Sequence, residues 1–128
     1  MSHFVTIHTQ IRDVGALRDA CGELGIGLHE NTTARGFAKA NTPGQYVVRL
    51  NGPYDIALNR EKEEEPYTLP TDWWDGHVER EVGENYGRLL QAYGVHKATR
   101  EAQKRGHTVR RRRLEDGTVK LSIGGATA

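Results

Sequence analysis

Nucleophilic and metal-binding side chains are scarce in this sequence. Its 128 residues include one cysteine, Cys21, and two serines, Ser2 and Ser122. A single cysteine excludes an internal disulfide framework and a cysteine-rich zinc site. Neither serine lies in a Gly-x-Ser-x-Gly motif, and the glycines form no phosphate-binding loop. Serine-hydrolase chemistry and P-loop nucleotide binding therefore have no evident place in this chain.

Long hydrophobic runs are also missing. The longest purely apolar runs have three residues, Tyr46–Val48 and Ile56–Leu58. A membrane-spanning helix needs about 20 apolar residues, and a secretory signal peptide needs an apolar stretch that this chain does not contain. The length suits one domain, and 36% hydrophobic with 27% charged residues is typical of a soluble protein. We therefore expect a cytoplasmic protein with no membrane contact.

The net charge of +1 conceals two regions of opposite sign. Residues 55–84 contain ten acids and three bases, whereas residues 97–120 contain nine bases and three acids. Such asymmetry can steer a charged partner, or it can hold two parts of one fold, or two subunits, together.

Hydrophobic periodicity predicts an α+β domain over residues 1–123, followed by a disordered tail at 124–128. The predicted order is β-α-β-β-β-(β)-α-β-β, with a mainly antiparallel sheet and two helices packed on one face. Asp13 and Gly25 are the predicted caps of the first helix, with Cys21 pointing into the core. The predicted strands are 2–11, a strand from 27 onward, 45–50, 54–60 and 66–74, and the predicted helices are 14–24 and 78–105. A terminal hairpin is predicted at 108–123, with its turn at 115–118.

The second predicted helix carries an apolar stripe that changes sides. Up to Gly94 the stripe follows helical spacing on one side, through residues such as Val78, Val82, Tyr86, Leu89, Leu90 and Tyr93. Beyond Gly94 the apolar positions Val95, Ala98 and Ala102 point nearly the opposite way. One straight helix on one sheet cannot bury both sets. The pattern predicts either a kink near Gly94 or packing of the second half against something else, such as another subunit.

The same helix presents a polar cluster in which His96 is a candidate general base. Tyr93, His96, Lys97 and Arg100 follow the i, i+3, i+4, i+7 spacing of one helix face. Positive neighbours would lower the pKa of this histidine, and Tyr93 and Asp72 are candidate helpers. The alternative, which we favour, is a helix face that meets water or a carboxylate such as Asp72 or Asp75. None of the six histidines has the spacing of a metal site, and we predict no metal and no cofactor.

Two further features could contact macromolecules. Trp73 and Trp74 are adjacent, so on an extended chain one side chain points inward and the other outward. An outward tryptophan is either a contact hot spot or a cap on the edge of the core.

The four consecutive arginines, Arg110, Arg111, Arg112 and Arg113, lie in the first arm of the terminal hairpin. Side chains alternate along a strand, so Arg110 and Arg112 face one way and Arg111 and Arg113 the other. The second pair must lie at the sheet end, snorkel or pair with the acidic segment. With Lys120, the arginines could bind phosphates in a salt-sensitive manner, or they could protect an edge strand against aggregation. Residues 94–128 contain no aromatic residue that could stack on a base, so nucleic-acid binding is the less favoured interpretation.

Several short motifs in order give the sequence a family resemblance. They are MSHF (1–4) with Thr6, QIRD (10–13), RGF (35–37), YDIAL (54–58), DWW (72–74), YGVHK (93–97) and EDGTVKL (115–121). From Met1 to about Ile123 the sequence resembles the hypothetical chloroplast reading frame thirty-five family, a domain of unknown function in cyanobacteria, algal plastids and other bacteria. The resemblance implies a soluble stand-alone domain, and a chloroplast location for plastid relatives. It implies no reaction and no catalytic residue.

We therefore expect a non-catalytic accessory domain that binds a macromolecular partner, with protein or self-association preferred to nucleic acid. The expected contact surfaces are Trp73 with Trp74, and Val95 with Ala98 and Ala102. A small enzyme built on His96, and nucleic-acid binding through the basic hairpin, are the two alternatives.

Overall fold

The computed structural model describes residues 4–5 and 11–124. It contains seven strands, three α-helices and three short 3-10 turns within these residues. The strands are β1 (Phe4–Val5), β2 (Gly27–Ala34), β3 (Thr42–Arg49), β4 (Ile56–Leu58), β5 (Thr71–Asp72), β6 (Thr108–Arg113) and β7 (Val119–Gly124). The helices are α1 (Val14–Leu24), α2 (His77–Val82) and α3 (Gly87–Lys104). The 3-10 turns are Phe37–Lys39, Trp74–Gly76 and Glu84–Tyr86.

The strands form two separate antiparallel sheets. The larger sheet has the order β1-β5-β4-β3-β2, and the smaller one pairs β6 with β7. The predicted α+β class is confirmed, but the predicted arrangement is wrong because the terminal hairpin does not join the main sheet. The proposed edge strand at 66–74 is also corrected, since only β5 is a strand there and it lies between β1 and β4. Of the strand predicted at 2–11, residues 2–3 and 6–10 lie outside the described residues.

The first helix forms as its sequence predicts. The Asp13 carboxylate accepts a hydrogen bond from the Ala16 N–H at 3.0 Å, and Gly25 ends the helix in the left-handed conformation at φ 71°. Cys21 is buried, and burial raises the pKa of its thiol to about 12. This cysteine is therefore a small apolar core residue rather than a nucleophile.

One hydrophobic core joins the three helices to one face of the main sheet. Leu17 from α1, Val78 from α2 and Leu89 from α3 share it with Val48 and Ile56 from the sheet. This placement follows from alternation in β3, since Val48 faces the helices while the adjacent Val47 packs with Ala34 and Ala57 in a small second cluster.

The helix predicted from residue 78 to residue 105 is two helices. The Gly83 N–H bonds to the Glu79 carbonyl and ends α2, and left-handed backbone at Asn85 and Tyr86 separates it from α3. Tyr86 nevertheless remains fully buried, and its hydroxyl donates to the Leu69 carbonyl. The apolar stripe survives the break, and for this reason periodicity alone did not reveal it.

The helix α3 itself runs without interruption through Gly94. The predicted kink there is wrong, and so is the need for a second subunit. The exposed fractions of Val95 and Ala102 are 7% and 5%, and Ala98 is half-buried. The two strands of the terminal hairpin contact α3, and Val95 lines a groove with Arg111 and Val119 of that hairpin. Two sides of α3 are therefore covered within one molecule, by the main core and by the hairpin.

The predicted limits of the domain need one change. Gly124 was assigned to a disordered tail, but it ends β7 and pairs with Thr108. Residues 125–128 lie outside the described residues.

Candidate functional site

The polar face of α3 contacts carboxylates of α1. Three pairs join the helices: His96 Nε2 with Glu23 Oε1 at 2.8 Å, Lys97 Nζ with Asp13 Oδ2 at 3.4 Å, and Arg100 Nε with Asp19 Oδ2 at 2.7 Å. The proposed carboxylate partners Asp72 and Asp75 are therefore wrong, because the acids come from the neighbouring helix. These pairs hold α1 and α3 together beyond Gly94, where the apolar stripe lies on another side of α3.

Glu23 contacts two bases at once. Besides its contact with His96, its carboxylate accepts hydrogen bonds from Nη1 and Nη2 of Arg111, at 2.8 and 2.6 Å. The hydrogen bonds from Arg111, and then the one from His96, lower the pKa of Glu23 to about 2. Bidentate arginine–carboxylate pairs are among the stronger hydrogen-bonded contacts in proteins. Glu23 therefore connects α1, α3 and the hairpin at one point.

The three candidate catalytic side chains have different partners. The buried Tyr93 hydroxyl accepts from the backbone N–H groups of Arg12 and Asp13, at 3.0 and 3.1 Å. The Asp72 carboxylate accepts from two other backbone N–H groups, those of Phe37 and Trp74. The structure therefore does not bring Tyr93 and Asp72 to His96 as a catalytic group.

A groove of about 560 Å³ lies between the hairpin, α3 and the end of α1. Its lining includes Glu23, Val95, Arg111, Arg113 and Val119. His96 is not among the lining residues, and the charges around the groove are of both signs. No cluster of three or more metal-ligating side chains occurs among residues 4–5 and 11–124.

Neither tryptophan lies on a strand, because Trp74 begins a 3-10 turn and Trp73 immediately precedes it. Trp73 is half-buried against Tyr86, with ring centroids 4.8 Å apart. Trp74 is 38% exposed and packs on Phe37, which is 41% exposed, with ring centroids 4.7 Å apart. One tryptophan thus faces inward and the other outward, and Phe37 joins the outer one. We call Phe37 and Trp74 the aromatic corner.

A buried carboxylate holds this aromatic corner together. Asp72 is 1% exposed, and its two oxygens accept from the Phe37 N–H at 3.0 Å and the Trp74 N–H at 2.9 Å. An ionised side chain is expensive to bury without such bonds. Asp72 therefore fixes the backbones of two separate turns so that their aromatic rings meet at the surface.

The backbone is strained immediately after each of these aromatic residues. Ala38 has φ 54° and Asp75 has φ 57°, which is left-handed backbone at residues other than glycine. Such conformations persist only where surrounding contacts impose them, and they occur preferentially at functional sites. The Asp72 carboxylate provides that contact on both turns.

The four arginines divide between the two faces of the hairpin. Strand register places Arg111 opposite Leu121 and Arg113 opposite Val119, on the face toward α1 and α3. Arg111 pairs with Glu23, and Arg113 donates to the Gly117 carbonyl at 3.3 Å. The expectation that this pair contacts an acid is met for Arg111, but the acid belongs to α1 rather than to residues 55–84. Arg110 and Arg112 lie on the other face with Lys120.

A second buried carboxylate, Asp55, is bound by Arg35. The Arg35 guanidinium contacts both Asp55 oxygens at 2.8 Å, and the backbone N–H groups of Arg35 and Leu50 add bonds of 2.9 and 3.1 Å. Burial opposes ionisation of Asp55, but these contacts outweigh it and lower its pKa. The pair joins the loop after β2 to the segment before β4, so its role is structural.

A comparison with protein families matches residues 20–122 to a family described as a protein of unknown function, DUF1257. The match covers most of the chain. The chain belongs to the DUF1257 family. Comparisons with the curated proteins and with the solved structures each return no match. Among the residues that the structure describes, no helix is long and apolar enough to cross a bilayer.

The DUF1257 match includes three residues that sequence reasoning did not single out. They are Glu23, Arg35 and Phe37. Arg35 and Phe37 lie in RGF, one of the motifs that carry the family resemblance. The motif was therefore noticed, but the sequence did not indicate which contacts its residues make. Nothing local predicts the contacts of Glu23, because its partners are 73 and 88 residues away along the chain.

Proposed function

We propose that this protein is a non-catalytic accessory domain that binds a protein partner through the aromatic corner. The observation that carries the proposal is the Asp72 carboxylate, which fixes the two turns on which Phe37 and Trp74 meet. Aromatic rings that pack on each other and stay half-exposed have the composition of an interface hot spot. A pair that is already ordered loses little side-chain entropy when it binds.

The proposal moves the contact away from the second half of α3. Val95 and Ala102 were expected to contact the partner, but both are already buried within the chain. Trp73 is also half-buried, so Trp74 and Phe37 supply the accessible surface. Ala98 keeps partial exposure and lies outside this surface. The proposal also includes a cytoplasmic location and kinship with the hypothetical chloroplast reading frame family.

One contact in the structure is compatible with the alternative of a small enzyme. His96 has a carboxylate within hydrogen-bond reach, which is the arrangement that orients a general base. That carboxylate, Glu23, is also bound by Arg111, and neither Tyr93 nor Asp72 faces the histidine. We therefore favour a structural role for His96, in which it joins α3 to α1.

The test uses Phe37→Ala and Trp74→Ala in the full chain. A partner is first captured from the native cells on wild-type protein, then purified and titrated by calorimetry. Each substitution should weaken its affinity at least ~30-fold, since a hot-spot side chain contributes about 2 kcal/mol or more. Size-exclusion chromatography with light scattering shows whether the partner is a second copy of the chain.

Leu114→Ala is the matched control. Leu114 is 37% exposed, like the aromatic residues, but it lies in the hairpin turn. It should leave the affinity within about twofold of wild type. Equal affinity for wild type, Phe37→Ala and Trp74→Ala would rule out the aromatic corner as the contact.

A further inference from the structure

The paired positions on the outward face of the hairpin carry three bases and no apolar side chain. Register pairs Arg110 with Ser122 and Arg112 with Lys120, and Thr108 lies opposite Gly124 at the open end of the hairpin. Side chains directly opposite in an antiparallel pair share a face. We call Arg110, Arg112 and Lys120 the basic face. All three residues are exposed.

The basic face differs from four cationic residues that form close ion pairs elsewhere in the molecule. Arg35, Lys97, Arg100 and Arg111 each contact an acid within 3.5 Å. The side chains of the basic face, in contrast, make no hydrogen bond or ion pair within residues 4–5 and 11–124. The hairpin thus uses one of its arginines to attach to the body and leaves these three bases available.

The pairing within the basic face is unfavourable by itself. Arg112 and Lys120 are directly opposite, and like charges at such positions repel each other and destabilise the pair of strands. An anion between the two side chains would remove this repulsion. The arrangement therefore favours a bound anion, in addition to leaving room for one.

We propose that the basic face binds the phosphate backbone of nucleic acid. Arg110 and Arg112 lie about 7 Å apart along a rigid strand, and Lys120 extends the positive charge across to β7. A nucleic-acid strand offers phosphates at a comparably high linear density. The flanking hydroxyls of Thr108 and Ser122 can donate to phosphate oxygens.

The chemistry of this face also limits what else it can recognise. Its paired positions have no apolar side chain to insert into a membrane, although the exposed Leu114 lies at the turn of the hairpin. The hairpin from Thr108 to Gly124 contains no aromatic residue to stack on a base and no Asn or Gln to read adenine. Binding should therefore be independent of base sequence and should depend steeply on salt. This proposal does not rest on the aromatic corner.

The test is fluorescence anisotropy with a short labelled single strand and its duplex. Three phosphate contacts predict a logarithmic salt slope of about −2.7 on duplex, or a fall in affinity of about 40-fold between about 50 and 200 mM salt. The variant Arg110→Gln/Arg112→Gln/Lys120→Gln should lose at least about tenfold in affinity and most of that slope. Circular dichroism confirms that the variant is folded.

The control removes the same charge elsewhere, as Arg18→Gln/Lys62→Gln/Arg80→Gln. All three of these bases are exposed and lie outside the hairpin. This control should bind within about threefold of wild type if the location of the charge decides affinity. Equal losses in the two triple variants, or no binding by wild type at low salt, would overturn the proposal. So would competition by polyglutamate as effective as competition by DNA, because the face would then fit an acidic protein equally well.

Discussion

The body and the hairpin of this molecule are held in place by different forces. In the body, Ile56 and Leu58 are fully buried, and the three helices and the main sheet share one core. In the hairpin, no residue from His107 to Gly124 is fully buried. Its attachment depends on the Arg111–Glu23 pair, on a bond from Gln91 to the Gly117 carbonyl, and on partly buried residues such as Val119. Two-stranded hairpins are marginally stable alone, so this one should open at a lower free energy than the body.

The difference separates where function can lie from what keeps the fold intact. The hairpin can carry charge on its outward face because little of the core depends on it. In the body, each buried carboxylate needs hydrogen-bond partners. Asp55 pairs with Arg35, and Asp72 accepts hydrogen bonds from the backbone N–H groups of the aromatic corner.

The largest effect should come from Arg35→Ala. The change leaves the buried Asp55 carboxylate without its main partner, and we expect it to lower the free energy of unfolding by about 3–5 kcal/mol. Urea denaturation followed by circular dichroism measures it. Arg49→Ala is the control, because Arg49 lies 3.6 Å from the same carboxylate, beyond hydrogen-bond distance, and should cost less than about 1 kcal/mol. Similar losses in both variants would contradict the structural role of the Arg35–Asp55 pair.

A smaller effect should separate two neighbouring arginines of the hairpin. Arg111→Gln removes the contact with Glu23, and we expect it to destabilise the hairpin by about 1 kcal/mol, since the pair is partly exposed. Arg112→Gln removes an outward charge and relieves its repulsion with Lys120, so it should leave stability within about 0.5 kcal/mol of wild type.

Amide hydrogen exchange can locate this effect. Protection of β6 and β7 should fall in Arg111→Gln, while protection of β3 and β4 stays at the wild-type level. Equal protection of the hairpin in the two variants would mean that Glu23 does not hold it to the body.

The parts of the fold that sequence predicted are those that local patterns specify. Alternation specified β3 and β4, and the Asp13 and Gly25 caps specified the ends of α1. The turn at Glu115–Thr118 was also predicted, and there Asp116 accepts from the Thr118 N–H at 3.0 Å while Gly117 takes a left-handed φ of 90°. Each of these features involves residues within a few positions of one another.

The parts that failed depend on distant residues. The stripe beyond Gly94 correctly indicated a second covering surface, but it could not say that the cover is the chain's own hairpin. The break at Gly83 was hidden because Val78, Val82 and Tyr86 keep a four-residue spacing on both sides of it. In the candidate site, one of the two tryptophans was predicted to face outward, but the sequence did not indicate that it is Trp74. The contact of Trp74 with Phe37 depends on a carboxylate 35 residues from Phe37.

The smallest expected effect is the acid sensitivity of the hairpin attachment. The pKa of Glu23 is about 2 in the fold, below its ordinary value of 4.5, because Arg111 and His96 stabilise the carboxylate. A lowered pKa means that the folded state favours the ionised form. Its contribution to stability is therefore fully present above about pH 4.5 and is lost as the pH falls through about 2. Since solvent screens this partly exposed group, we expect a contribution of less than about 1 kcal/mol.

Glu23→Gln isolates this contribution from the other carboxylates, because the pKa values of Asp13 and Asp19 are also lowered. For Asp13, burial is outweighed by the hydrogen bond from the Ala16 N–H and by Lys97, and for Asp19 the hydrogen bond from Arg100 is the main cause. Amide exchange of β6 and β7 should be slower in wild type than in Glu23→Gln near neutral pH, by up to about fivefold. The two proteins should converge as the pH approaches about 2, because protonated Glu23 offers Arg111 no charge. A difference that stays constant over this range would mean that Glu23 supports the hairpin by its shape and neutral hydrogen bonds, and that its ionisation contributes nothing to the attachment.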